Sequence, residues 1–215
     1  MRITSDSFAD MGMMPDQCAF GLLGPDKQYV FGPNRNPHLA WHDLPKGTQS
    51  LVLINDDLDV PVKLDNFNKE GAVVSKALTR RTLCHWVLID LQPDSPPIAL
   101  GEFSEGVTLG GKRGPEAPRG TRQGINGYTD WFALQKDEKM MGNYFGYDGP
   151  CPPWNDEIPH RYVFTLYALN TPRLNIDGHF TKETVLEATR RIPGLILDQA
   201  SITGLYALNP ALRSF

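Results

Sequence analysis

A mainly antiparallel β-sheet protein with one late helix is the fold class this sequence predicts. Its apolar runs, rich in β-branched and aromatic residues, are short and separated by clusters of Gly, Pro, Asn and Asp. These runs do not alternate regularly with helical segments, which argues against a doubly wound parallel sheet. Helical periodicity is scarce, with one clear segment late in the chain.

Taken in order, the runs predict strands at Tyr29–Phe31, Leu51–Ile54, His85–Leu91, Tyr162–Leu169 and Ala200–Leu208. The helix is expected over Thr181–Arg191. Thr181 suits the N-cap and Glu183 the first turn. Val185, Leu186 and Thr189 are spaced for one face, Arg190 and Arg191 suit the C-terminal end, and Pro193 stops the helix. Between Gly110 and Pro159 the chain is rich in Gly and Pro and has little apolar periodicity. Long stretches of this kind are uncommon in compact domains and are often functional. Within it, Thr129–Gly142 carries Trp131-Phe132-Ala133-Leu134 and then Lys136-Asp137-Glu138-Lys139, and reads as a short helix or a surface hairpin. No repeat or linker divides the chain, so residues 1–215 read as one domain.

Composition narrows the function. A hydrophobic content of 40% is enough for a core, and a net charge of −4 argues against a general nucleic-acid binder. No apolar run approaches the ~18 residues of a membrane span, and the N-terminus lacks the apolar core of a signal peptide. The three cysteines, Cys18, Cys84 and Cys151, do not form a disulfide framework. The expectation is a soluble, cytoplasmic protein.

Chemistry-bearing residues cluster at the ends of apolar strands. Asp56-Asp57-Leu58-Asp59-Val60-Pro61 follows Leu51–Ile54. Asp57 and Asp59, two apart in extended chain, are expected on one face. A solvated turn is the plain alternative. His85 opens the run Trp86–Ile89, where a histidine is more often a hydrogen-bonded structural residue than a catalytic one. His160-Arg161-Tyr162 follows the stiff loop Gly149-Pro150-Cys151-Pro152-Pro153, and alternation puts His160 and Tyr162 on one face. If these strands are neighbours, Asp57, Asp59, His85, His160 and Tyr162 converge. Two histidines, a tyrosine hydroxyl and loop N–H groups would then suit a small anion such as phosphate.

Other motifs fail. Gly106–Lys112 nearly matches a P-loop, but Arg113 stands where Ser or Thr is required and Gly114-Pro115 follows instead of a helix. There is no Gly-x-Ser-x-Gly elbow. Cys84 and His85, adjacent in a strand, should face opposite ways, and Cys151 reads as structural rather than nucleophilic. Zinc held by His85, His160 and a carboxylate is chemically allowed, but the surrounding anion donors favour the other reading. Lys112, Arg113, Arg119 and Arg122 read by default as a solvated basic loop. No cofactor or resident metal is expected.

Five motifs, in order, resemble the phosphatidylethanolamine-binding protein family, in its bacterial Raf-kinase-inhibitor-like branch. Asn34-Arg35-Asn36-Pro37-His38-Leu39-Ala40-Trp41 resembles Asn-x-Ser-Pro-x-Leu-x-Trp, with Asn36 in place of Ser. Asp57-Leu58-Asp59-Val60-Pro61 resembles Asp-Pro-Asp-Ala-Pro. His85-Trp86-Val87-Leu88 matches a His-Trp-Val strand, and Gly120–Asn126 resembles Gly-x-x-Gln-Gly-x-Asn. Gly146–Pro153 followed by His160–Phe164 is the most specific match.

The resemblance implies an antiparallel β-sandwich-like single domain with a peripheral helix and a shallow anion pocket. By motif, the pocket residues are Asp57, Asp59, Pro61, His85, Pro153, His160 and Tyr162. Two departures stand out. Trp154-Asn155-Asp156-Glu157-Ile158-Pro159 replaces a Gly-rich Lys-Gly-x-Gly linker, adding bulk and negative charge at the expected mouth, and Thr129–Gly142 looks like an insertion.

The leading functional reading is a non-enzymatic binding protein for a small anionic or phospholipid-headgroup ligand that modulates a partner such as a kinase. One alternative is a hydrolase of a phosphoester or small ester. Another is a homodimeric interaction protein that uses the Trp131 segment, with a vestigial pocket.

Overall fold

The longest apolar runs become the long strands of one sheet. The computed structural model describes residues 1–213. Its strands are β1 (Arg2–Thr4), β2 (Gly12–Met13), β3 (Gly21–Leu23), β4 (Tyr29–Phe31), β5 (Ala40–His42), β6 (Ser50–Pro61), β7 (Arg80–Leu91), β8 (Arg122–Gln123), β9 (His160–Leu169) and β10 (Ile196–Tyr206). The helices are α1 (Tyr128–Gln135) and α2 (Lys182–Arg190). Six strands form a sheet in the order β2-β10-β9-β6-β7-β8, and β1–β5 and β3–β4 are small two-stranded sheets. Every pairing is antiparallel except β2 with β10.

The continuous runs Leu51–Ile54 and Trp86–Ile89 are explained by burial on both sheet faces. Leu51, Leu53, Trp86, Leu88, Phe164 and Leu166 pack on one face with Ile3, Phe8 and Leu39. Val52, Ile54, Val87 and Ile89 pack on the other with Phe180, Val185 and Leu195. The late helix brings Val185 to that second face. It begins at Lys182, one residue after its extended N-cap Thr181, and carries Glu183 in its first turn and Arg190 in its last. Val185 and Thr189 are its buried residues.

Three expectations change at the element level. β7 starts at Arg80, five residues before His85, because ladder hydrogen bonds are made by the backbone and tolerate charged side chains on half-exposed ground. β10 spans Ile196–Tyr206 rather than Ala200–Leu208. The segment that reads equally as helix or hairpin is a helix, α1, starting at Tyr128. Among the described residues, no helix is long and apolar enough to cross a membrane.

The Gly149–Pro153 loop is held by close backbone packing. Gly149 N donates to Asn34 Oδ1 (2.8 Å), and its carbonyl accepts from the Tyr128 hydroxyl (2.9 Å). A Cβ at Gly149 would overlap the Cys18 carbonyl oxygen. Gly149→Ala is therefore expected to lower stability by about 1–3 kcal/mol, the usual range for forced overpacking. The urea midpoint of the variant measures this, and an unchanged midpoint would refute it.

Candidate functional site

β6, β7 and β9 are neighbours, so their polar ends meet. Asp57 lies opposite Tyr162 on β9 and opposite Leu83 on β7, two residues from His85. Asp57, His85, His160 and Tyr162 all line one cavity of about 520 Å³, together with Pro61 and Pro153. The four polar residues are each at most 2% exposed.

The second carboxylate is elsewhere. Simple alternation predicts that Asp59 shares a face with Asp57, but β6 departs from regular register against β7 between Asp57 and Val60. Such an irregularity breaks the alternation of side chains. Asp59 pairs with Arg161 through Oδ2–Nε (2.9 Å) and Oδ1–Nη2 (2.8 Å), accepts from the Arg161 backbone N–H (2.9 Å), and does not line the cavity.

His85 has a defined tautomer. Its Nδ1 lies 2.7 Å from the Asp148 carbonyl oxygen. A carbonyl only accepts, so Nδ1 carries the hydrogen and Nε2 keeps a lone pair. Nε2 has no partner. Burial lowers the His85 pKa, outweighing the pull of Asp57 and Asp148, so the ring is held neutral. Asp148 N donates back to the His85 carbonyl (3.1 Å).

The Asp148 carboxylate is itself fixed by Asn34 Nδ2 (2.8 Å), Lys112 Nζ (2.6 Å) and Asn126 Nδ2 (2.8 Å). The Tyr162 ring meets His85 edge-on at 5.2 Å, and its Oη also lacks a partner. Burial, reinforced by the Asp57 charge, pushes that hydroxyl well above its usual pKa, so it keeps its hydrogen.

His160 is in the opposite state. Nδ1 donates to Asp57 Oδ2 (2.8 Å) and Nε2 to Asp156 Oδ2 (3.2 Å). Burial alone would lower its pKa, but the Asp57 charge and the bonds to Asp156 and Asp57 overcome that and raise it to about 9. Correspondingly, the charge and hydrogen bond of His160 hold Asp57 below the usual carboxylate range despite its burial. Bonds from His160 and Arg80 do the same for Asp156. Arg80 completes the group with a two-pronged contact to Asp156 at 2.6 and 3.0 Å. Of the two linker carboxylates expected at the mouth, Asp156 is buried, at 1% exposed, and Glu157 remains exposed.

The cavity walls are aromatic. Tyr128, the first residue of α1, stacks edge-on to His85 at 5.3 Å and flat on Phe20 at 4.5 Å. Phe132, one turn further on, lies 5.5 Å from Tyr128, and Trp131 lies 5.4 Å from Phe67. The aromatic residues of the apparent insertion therefore face the cavity. Cys151 lines it too, but burial pushes its thiol up to about 12, which leaves it a poor nucleophile. Cys84 sits on the side of Lys182 and Asp56, away from His85, as alternation required. Among the described residues, no group of three or more His, Cys, Asp or Glu is placed to hold a metal ion.

The linker Trp154–Pro159 is fastened to the loop after β6. Asn155 Nδ2 donates to the carbonyls of Asn66, Lys69 and Ala72, and Trp154 N donates to Asn68 Oδ1. The basic cluster also resolves differently from a solvated loop. Arg122 is buried, donates to Asp90 Oδ2 (2.7 Å), and reaches the carbonyls of Leu174 and Ile176. Lys112 is bound to Asp148. Sequence reasoning missed Asp148, Arg80 and the aromatic wall. The one available signal was Asp148 within the Gly146–Pro153 motif.

A β-sheet protein with a buried His/Asp/Tyr floor beneath an aromatic pocket is the class this architecture defines. A family profile described as "Phosphatidylethanolamine-binding protein" matches residues 4–207, and the chain belongs to that family. A UPF0098 protein of Methanothermobacter thermautotrophicus is 32% identical over 206 residues, covering 96% of this chain and 98% of that protein. The UPF0098 protein YbhB of Escherichia coli is 29% identical, covering 82% and 83%. Among solved structures, a phosphatidylethanolamine-binding protein homologue from Chlamydia trachomatis superposes with a TM-score of 0.61 at 26% identity, covering 95% of each chain. YbcL of E. coli, at 22% identity and a TM-score of 0.63 over 96% and 97%, shares the fold.

Proposed function

We propose that the chain is a non-enzymatic binding protein for a small amphiphilic molecule. A compact polar head would sit against Asp57, His85 and Tyr162, and an apolar body would lie between the aromatic walls. One observation carries this reading: among the described residues that line the cavity, the buried side-chain nitrogen and oxygen atoms without a partner are His85 Nε2 and Tyr162 Oη, beneath a largely aromatic and aliphatic wall. Buried polar groups are normally paired, so two orphans facing one cavity point to a ligand that supplies the partners. Of the side chains at the floor, a phosphate-like or phospholipid head, the family-derived expectation, could accept from the Tyr162 O–H and would need a protonated oxygen to meet His85. Nothing in the site singles out a kinase partner. The inward-facing aromatics of α1 favour a pocket wall over an association surface.

The test is titration with the neutral, environment-sensitive naphthalene probe prodan. Wild type is expected to bind it, its ketone accepting from the Tyr162 O–H, and Phe132→Ala and Tyr162→Phe are each expected to weaken binding at least tenfold. Unchanged affinity in both variants would refute the pocket.

A hydrolytic reading has one observation in its favour. Neutral His85 with a free Nε2 is in the right state to take a proton from a bound water. Turnover of chromogenic phosphate and acyl esters, abolished in His85→Ala, would promote it.

A further inference from the structure

We infer that Asp156, by occupying Nε2 of His160, sets the class of head group this pocket accepts: a hydrogen-bond donor such as a hydroxyl or an amine, and not a phosphate-like anion. The inference rests on the pocket reading above and deepens it.

It follows from a count of donors and acceptors at the floor. His160 has two ring N–H groups, and both are taken, one by Asp57 and one by Asp156. His85 has one N–H, and the Asp148 carbonyl takes it. The Tyr162 O–H is the one side-chain donor left. The acceptors are more numerous: His85 Nε2, the Tyr162 oxygen, and the Asp57 carboxylate. Asp57 accepts from His160 and from the Asp59 N–H and still has lone pairs in reserve.

Charge points the same way. The His160 cation lies between two carboxylates, and the Arg80 guanidinium is committed to Asp156 and to the carbonyls of Asp59 and Ser75. Lys139 also lines the cavity, but it is exposed on the segment after α1. Among side chains at the floor, an anion would therefore give up its water for one hydroxyl donor, beside the negative Asp57. Burying a charge without a counter-charge is among the costliest steps available to a protein. A hydroxyl or ammonium head meets acceptors in His85 Nε2, the Tyr162 oxygen and the Asp57 carboxylate.

Asp156 is the residue on which this turns. Without it, Nε2–H of His160 would lose its acceptor and become available to an oxygen of a ligand, and Arg80 would lose its two-pronged partner. The floor would gain one N–H donor and lose one negative charge.

Three ligands that share a phenyl body test this by displacement of prodan at pH 7: benzyl alcohol, benzylamine and benzylphosphonate. In wild type, the alcohol or the amine is expected to bind at least tenfold more tightly than the phosphonate. Asp156→Ala is expected to tighten the phosphonate at least tenfold. Glu157→Gln, which alters a neighbouring carboxylate bound to the Lys76 N–H, is expected to leave the order unchanged. If the phosphonate binds wild type as well as or better than the other two, the inference is overturned and the pocket stands. The same holds if prodan binds but none of the three displaces it. If prodan itself does not bind, the pocket reading falls, and this inference with it. The wild-type ranking decides the question even if Asp156→Ala does not fold.

Discussion

Replacing Asp148 with Ala is expected to cost roughly 3–5 kcal/mol of stability, the range for removing one partner of a buried charge pair. The side chain is 1% exposed and gathers Lys112, Asn34 and Asn126. Truncation would leave a largely buried ammonium without its counter-charge and one N–H of each of two buried amides without its acceptor, and unmet buried donors carry the full desolvation penalty. Asp148→Asn is expected to be milder, because an amide oxygen still accepts while the charge attraction to Lys112 is lost. Urea denaturation of the two variants measures this, and a loss under ~1 kcal/mol in Asp148→Ala would contradict the buried-network account. The same change should disturb the floor, since the Asp148 main chain brackets His85, accepting from its imidazole and donating to its carbonyl.

A second large effect is a stability profile that peaks near pH 6.5. His160 is raised from 6.5 to about 9, so the folded state holds a proton that the unfolded state releases. Its contribution is fully present below pH 6.5 and is lost as pH rises to about 9. Over that window the loss amounts to about 3 kcal/mol, at ~1.4 kcal/mol for each pH unit separating the folded and unfolded values. His85 is lowered, so its contribution has the opposite sign: present above pH 6.5 and lost as pH falls below it, when the unfolded state takes up a proton the folded state resists. The lowered pKa values of Asp57 and Asp156 add a further loss in stronger acid. Chemical denaturation at pH 5 to 9.5 should show the peak. His160→Gln should flatten the alkaline limb and His85→Gln the acid limb. A wild-type profile that stays flat from pH 6.5 to 9 would overturn the assignment of His160 as a buried cation.

Much of the scaffold was legible because it is written in local pattern. Leu51–Ile54 and Trp86–Ile89 read as strands because both sides of the sheet are covered. Thr181, Val185 and Pro193 mark a helix through capping, spacing and termination. The short strands β1, β2, β5 and β8, two or three residues each, carry no period to read. α1 stayed ambiguous because its apolar residues serve a cavity wall rather than one core-facing stripe.

The sequence itself determined the residue types of the site and set Asp57, His85, His160 and Tyr162 at the ends of apolar runs, where they would meet if those strands were neighbours; the sheet order supplied that condition. What each residue does there was decided by tertiary structure alone. Asp57 and His160 are 103 positions apart, and His85 and Asp148 are 63 apart. At such separations the partner depends on sheet register, and the irregularity after Asp57 sent Asp59 to Arg161. The same holds for protonation. Two histidines that look equivalent in the chain become one neutral acceptor and one locked cation, because burial prevails at the first and is overcome by two carboxylates at the second.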